Sequence, residues 1–265
     1  MTTLSEHEIR TGKLVRISDH DRVVESKSQY DFVVRTNDYF LGQVRKIIVK
    51  SITVPNTQYN ISSVNNTITY DIGAGDATVS VPQGQYTSIA DLLDALAAAL
   101  LASPDVIVMS WTFDTLLSKA TLTFGVPIIL KRGTNGAQSE VGTSTIAHVI
   151  GLGDQDTASL TVHVMPDIVD LSGLKKVYIA SKALTMTSSM VSSNLVQANV
   201  ISEINITQPF GYICHRDIPE IEASDESTSS IPNNISSIDI QLLDERLRPI
   251  DLQGHNVYIT LKIFS

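Results

Sequence analysis

The chain has 265 residues, 43% apolar and 18% charged, with a formal net charge of −9. That is apolar material for one large core, or one domain with an inserted module. Low charge implies that neighbours cover much of the surface, and the acidic balance argues against binding nucleic acid by phosphate neutralisation. The single cysteine, Cys214, excludes an intrachain disulfide and a cysteine-built zinc site. No apolar run is long enough to span a bilayer, and MTTLSEHEIRTGK lacks the apolar stretch of a signal peptide, so neither membrane insertion nor a secretion leader is expected. The charge is uneven. Residues 1–50 hold 9 Lys+Arg against 7 Asp+Glu, and the remainder 10 against 21.

Residues 1–28 are polar, carry both signs of charge, and read as an arm that orders on a partner. Residues 30–35 (YDFVVR) read as a short strand, and 44–54 as a core strand built on two β-branched clusters. Pro55 cannot donate to a ladder and ends it. Residues 66–72 and 77–81 read as a hairpin whose GAGD turn supplies positive-φ positions. A helix follows, with Ser88 as N-cap and Ile89, Leu92, Leu93, Leu96 and Leu100 on one face, ending before Ser103-Pro104. Residues 106–115 and 119–124 alternate as a second hairpin, with 127–130 alongside. Residues 131–144 read as a polar loop and 145–152 as a short helix stopped by Gly151 and Gly153.

Beyond residue 158 the pattern is strands alone, at 160–165, 175–180, 196–207, 235–243 and 256–264, with loops at 181–193 and 223–234. Short strands parted by Gly, Pro, Ser and Asn argue for a sandwich or jelly roll. The fold expected is therefore mainly β: a single jelly-roll β-sandwich with an inserted α/β module. Residues 1–28 would form the arm, 29–59 and 166–265 the jelly roll, and 60–165 the insertion.

Candidate chemistry is sparse. Ser18–Asp21 (SDHD) sets His20 between two carboxylates, a pattern for a weak metal or general-base site, though a solvated arm explains it as well. Cys214 and His215 adjoin, but neighbours in an extended segment point to opposite faces, so a thiolate–imidazole pair is not expected. Gly73–Asp76 and Gly151–Asp154 lack phosphate-loop spacing and read as turns. Asp91 and Asp94 sit near a helix start, where the dipole favours them. Trp111 and Phe113 share a strand face that reads as core before it reads as a ligand platform. His148, His163, His215 and His255 are too scattered for a cupin-type metal set, and the sequons at Asn60, Asn66, Asn205 and Asn234 have no secretion signal behind them. No catalytic, cofactor-binding or metal residue is assigned, no cofactor is expected, and the chain is not expected to be an enzyme.

Four segments carry a resemblance. They are DRVVESKSQYDF (Asp21 to Phe32), VPNTQYNI (Val54 to Ile61), QGQYTSIADLLDAL (Gln83 to Leu96) and IQLLDERLRPIDLQGHNVYITLKIF (Ile240 to Phe264). In this order they resemble the minor capsid (penton) proteins of virophages, polinton-like viruses and related double-stranded DNA viruses. The resemblance implies a jelly roll at the fivefold vertices of an icosahedral virion, assembled inside the host cell. It implies a homopentamer bordered by trimers of a double-jelly-roll major capsid protein. The insertion would cap the vertex or seat a spike protein. The competing expectation is a receptor- or glycan-binding jelly roll of a spike or tail.

Overall fold

A computed structural model describes residues 13–23, 31–35, 46–106, 108–132, 145–153, 155–182, 184, 190–191, 197–219 and 237–264. The chain is mainly β and divides into two compact units. Unit one is Met1–Gln58 with Leu174–Ser265, and unit two is Tyr59–Gly173. Unit one opens with β1 (Lys13–Ser18), β2 (Asp31–Arg35) and β3 (Lys46–Pro55). Unit two holds β4 (Thr67–Asp71), β5 (Asp76–Ser80), helix α1 (Ile89–Leu101), β6 (Met109–Asp114), β7 (Lys119–Lys131) and β8 (Leu160–Val164). The chain returns to unit one with β9 (Lys176–Ala180), β10 (Met190–Val191), β11 (Gln197–Ala198), β12 (Val200–Asn205), β13 (Ile213–Asp217), β14 (Ser237–Leu243) and β15 (Tyr258–Phe264).

Unit one contains two four-stranded antiparallel sheets, ordered β1-β15-β3-β13 and β12-β9-β14-β2. Counted among these eight strands alone, the orders are 1-8-3-6 and 5-4-7-2. Successive strands thus switch sheets everywhere except between the fourth and fifth, which is the jelly-roll arrangement. Alternation supplies one apolar face per sheet. Val15, Ile17, Ile52, Val54, Ile259 and Leu261 from the first meet Phe32, Val34, Val177, Ile179, Ile240 and Leu242 from the second in one buried cluster. Lys50 is the extra residue where the β3–β15 register shifts between Thr260 and Leu261.

The turn into β15 is organised by Asp244, 3% exposed. Its Oδ1 accepts from the N–H groups of Arg246 and Arg248, both at 2.8 Å, and its Oδ2 from Arg248 Nε at 2.7 Å. Leu247 takes φ 59° inside this turn, which the Asp244 bonds hold in place. The Asp-to-Pro spacing of the closing segment therefore marks a carboxylate-built corner.

In unit two the sheet runs β5-β4-β7-β6, with β8 added along β7. Gly73 and Gly75, at φ 96° and 108°, make the β4–β5 turn, and Asp71 Oδ1 accepts both their N–H groups. Ser88 Oγ accepts from Ala90 N–H to cap α1, whose Leu92, Leu93, Leu96 and Leu100 are fully buried with Tyr70, Leu122 and Ile128.

Four expectations need correction. Part of the supposed arm, Lys13–Ser18, is an edge strand paired with β15, because Val15 and Ile17 supply the single apolar face an edge strand needs. Residues 145–152 form no α-helix. Ile150 N–H reaches Ile146, but Gly151 at φ 81° then turns the chain to pair with Asp167. Residues 119–131 are one long strand in place of a strand and a loose apolar run, with Pro127 where the β7–β8 register shifts, so it interrupts no regular pairing. The expected strand at 196–207 is split into β11 and β12. Residues 133–144, 185–189, 192–196 and 220–236, on which loop expectations fall, lie outside the described residues, as do 1–12 and 24–30.

Because Ile259 is fully buried in the central strand β15, Ile259→Ala is expected to cost about 2–5 kcal/mol of stability. Leu14→Ala on the exposed side of β1 should change it by less than about 0.5 kcal/mol. Denaturant unfolding of both variants measures the contrast.

Candidate interaction surfaces

The SDHD segment is a short helical turn at the end of β1, with Ser18 and Asp19 buried and His20 and Asp21 exposed. Asp21 Oδ2 accepts from Ser18 N–H (2.9 Å) and Ser18 Oγ (3.1 Å). Asp19, 3% exposed, accepts from Val257 N–H at 3.2 Å, and Asn256 with its amide nitrogen toward Asp19 donates to it at 3.0 Å and accepts from His20 Nε2 at 2.8 Å. Asp21 thus closes the turn after β1 on Ser18, while Asp19 holds the start of β15 against the end of β1. Among the described residues, no three His, Cys, Asp or Glu side chains converge as a metal set.

On β13, Cys214 is buried among core residues while the His215 side chain is 51% exposed on the opposite face. That separation follows from strand alternation. His215 belongs instead to a row of residues in register across all four strands: Ser18, Tyr258, Thr53 and His215. Thr53 Oγ1 and His215 Nδ1 are 2.8 Å apart, His215 Nε2 lies 3.3 Å from Asp217, and the Arg16 guanidinium sits 4.4 Å from the Tyr258 ring centroid. Tyr212 and Ile213 are exposed at the same sheet's β13 edge. This face thus combines a cross-strand polar row with exposed Leu14, Tyr212 and Ile213, a mixed surface suited to contact.

On the second sheet's outer face, Tyr178, Ala180, Leu243 and Leu247 form a small buried cluster. Glu203, hydrogen-bonded to Lys176 at 2.9 Å, raises that ammonium's pKa. Ala180, Ser181, Lys182, Ala198, Asn199 and Gln241 line a shallow pocket nearby.

Unit two begins and ends on one buried side chain. Asn60 Nδ2 donates to the carbonyls of Tyr86 (2.8 Å) and Leu171 (3.0 Å), and its Oδ1 accepts from Tyr86 N–H (2.9 Å). The amide nitrogen of this sequon is therefore occupied in the fold. Trp111 and Phe113 are half-buried against unit two's core, and Trp111 Nε1 donates to Asp94 at 2.9 Å. His163 was expected only as one of several scattered histidines. It is 3% exposed on the inner side of β8, edge-on to Phe124, with Nε2–H donating to Leu160 C=O at 2.9 Å. Burial lowers its pKa, opposed by the Leu160 and Ile128 carbonyls.

The outer face of the same sheet is different in kind. Ser110, Thr123 and Val162 are in register across β6, β7 and β8, as are Thr112, Thr121 and Val164. Leu160, Val162 and Val164 are 49%, 47% and 67% exposed. Around this neutral surface the unit is strongly acidic. Tyr59–Gly173 contains 3 Lys+Arg and 11 Asp+Glu, a balance of −8, which leaves unit one at −1 of the total −9.

A family of unknown function, DUF5901, matches residues 17–247. The chain belongs to that family. The matched span begins at Ile17 near the end of β1 and ends at Leu247 in the Asp244 turn, so it takes in unit two and unit one's principal strands except β15 and most of β1. No curated protein matches the chain. Among solved structures, it is similar to the selenomethionine-labelled penton protein of mavirus, at 11% identity and a TM-score of 0.45, over 97% of this chain and 100% of that one.

Asn60→Ala removes three hydrogen bonds and leaves two partly buried carbonyls without their donor, for an expected loss of about 1–3 kcal/mol in denaturant unfolding. His163 gives a pH dependence. Free histidine protonates near about pH 6.5, whereas the buried ring resists protonation, so its contribution to stability is intact above that pH and declines as pH falls below it. Thermal melting between about pH 8 and about pH 5 should show a larger loss for the native chain than for His163→Leu.

Proposed function

We propose that this chain is a structural capsid protein forming the pentameric vertex of an icosahedral double-stranded DNA virus or virophage. The observation that carries the reading is the strand order of unit one, a complete eight-stranded jelly roll with a separate unit inserted between its third and fourth strands. The segments resembling penton proteins support it from the sequence. VPNTQYNI runs from the end of β3 into unit two, and the closing segment contains the end of β14, the Asp244 turn and β15. The outer sheet face of unit one, with its cross-strand row ending at His215 and exposed Leu14, Tyr212 and Ile213, suits a broad protein contact better than a small substrate. On this reading the chain has no catalytic role. Its partners are four further copies and the double-jelly-roll major capsid protein, with a spike protein seated on unit two.

A cyclic pentamer needs a heterologous interface, with different patches from each copy, and a stable one buries more than about 1,000 Å². Native mass spectrometry of the purified chain, alone and co-expressed with the major capsid protein, tests the assembly. The expected species is five times 28.8 kDa, about 144 kDa. A trimer or hexamer would move the reading to a spike or tail component. A monomer under both conditions would end it.

A further inference from the structure

Edge strands expose unpaired N–H and C=O groups, and soluble proteins usually guard them with charge or proline. Apart from the two-residue strands β10 and β11, which pair only with each other, each of the other edge strands in the two four-stranded sheets and in the sheet of unit two follows that rule. β1 has Lys13 and Arg16, β2 has Asp31 and Arg35, β5 has Asp76, β6 has Asp114, β12 has Glu203, and β13 has Arg216 and Asp217. β8, LTVHV, has none of Lys, Arg, Asp, Glu or Pro, and its histidine is turned into the core.

Among the described residues, the register shows which backbone groups of β8 are open. Met165 N–H donates to Ala120 C=O at 2.9 Å, and Thr121 is paired with Val164. Antiparallel pairs alternate between hydrogen-bonded and non-hydrogen-bonded, so His163 spends its backbone groups on β7 while Val162 and Val164 turn theirs away from it. The same two residues present exposed side chains on the outer face, in line with Thr123 and Thr121. An open ladder and an uncharged aliphatic row thus coincide on five residues.

We propose that β8 accepts an extended, net-basic segment of another protein chain as an added antiparallel or parallel strand, by main-chain hydrogen bonding to Val162 and Val164. Strand addition obtains affinity from the ladder and selectivity from alternate side chains. The charge selects the occupant. Unit two carries −8, so a second copy's β8 brings an equally acidic body, while a basic segment is drawn in. The proposal concerns the edge of unit two alone and stands whether or not the chain forms a vertex.

The test uses the full chain and a blocked peptide of alternating Val and Lys, with a Val–Glu peptide as its counterpart, in near-physiological salt. Binding is followed by calorimetry and by amide exchange. The Val–Lys peptide is expected to bind at least about tenfold more tightly than the Val–Glu peptide and to slow exchange of the Val162 and Val164 amides. Val162→Pro removes an outward N–H without removing a β7 hydrogen bond or altering charge, and should weaken binding at least about tenfold. Val162→Thr should retain it. If Val162→Pro does not fold, Val164→Pro makes the same deletion, and the exchange pattern of the unaltered chain is independent of both. The proposal is overturned by absence of binding, by equal binding of the two peptides, by binding that survives the proline variants, or by protection confined to other segments. Concentration-dependent self-association lost in Val162→Pro would overturn it in favour of a second copy as the occupant.

Discussion

Unit one depends on the antiparallel seating of β15 between β1 and β3. One strand near the C-terminus joins a strand near the N-terminus to the strand that precedes unit two. Its alternate residues Ile259, Leu261 and Ile263 enter the shared core while Tyr258 and Thr260 face outward. Everything around it serves that register. Asp19 holds Val257 and Asn256 at the strand's start, Asp244 shapes the preceding turn, and the bulge at Lys50 takes up the one register shift. Loop closure on this scale costs entropy before any contact is made; the Asp244 bonds shape their corner locally, whereas the Asp19 bonds form only once β1 and β15 have met.

Unit two meets the same requirement with a separate core. Its helix supplies a leucine face, its sheet supplies Tyr70, Leu122 and Leu130, and Asn60 joins its first residues to its last through the Leu171 carbonyl. A module closed on itself can be inserted between two strands without asking the sandwich to rearrange, because its ends are already brought together. The near-complete confinement of the chain's net charge to this unit gives the two units different surface chemistry. One is nearly neutral and built of broad sheet faces. The other is acidic and bears a neutral aliphatic edge.

Much of the fold was legible because periodicity alone carries it. The alternation in residues 46–55 and 258–264, the leucine spacing of α1 and the glycines of the β4–β5 turn each reflect a local rule that needs no distant partner. The strands that escaped notice are those with little apolar content. β1 offers only Val15 and Ile17 to the core, and β13 offers Cys214 beside Arg216, whose Nη1 donates to Glu203 C=O. Edge strands bury one face against one neighbour, so a few apolar residues suffice and the pattern fades into that of a loop. The turn at 145–152 misled for the opposite reason. Apolar residues at helical spacing are buried there, but the glycine that would end a helix instead redirects the chain to Asp167.

The sequence by itself determined the class of fold, the absence of a disulfide framework, the interruption of a β domain by a mixed module, and the opposed directions of Cys214 and His215. These follow from composition and from the two-residue period of a strand. Tertiary structure alone decided that the strand order is 1-8-3-6 over 5-4-7-2, that Asp19 and Asp244 are buried clamps, that Asn60 closes unit two, and that β8 is an unguarded edge. Each of those depends on which strand lies beside which. Pairing between residues two hundred positions apart is fixed by the global burial of apolar faces, and no local window of sequence records it.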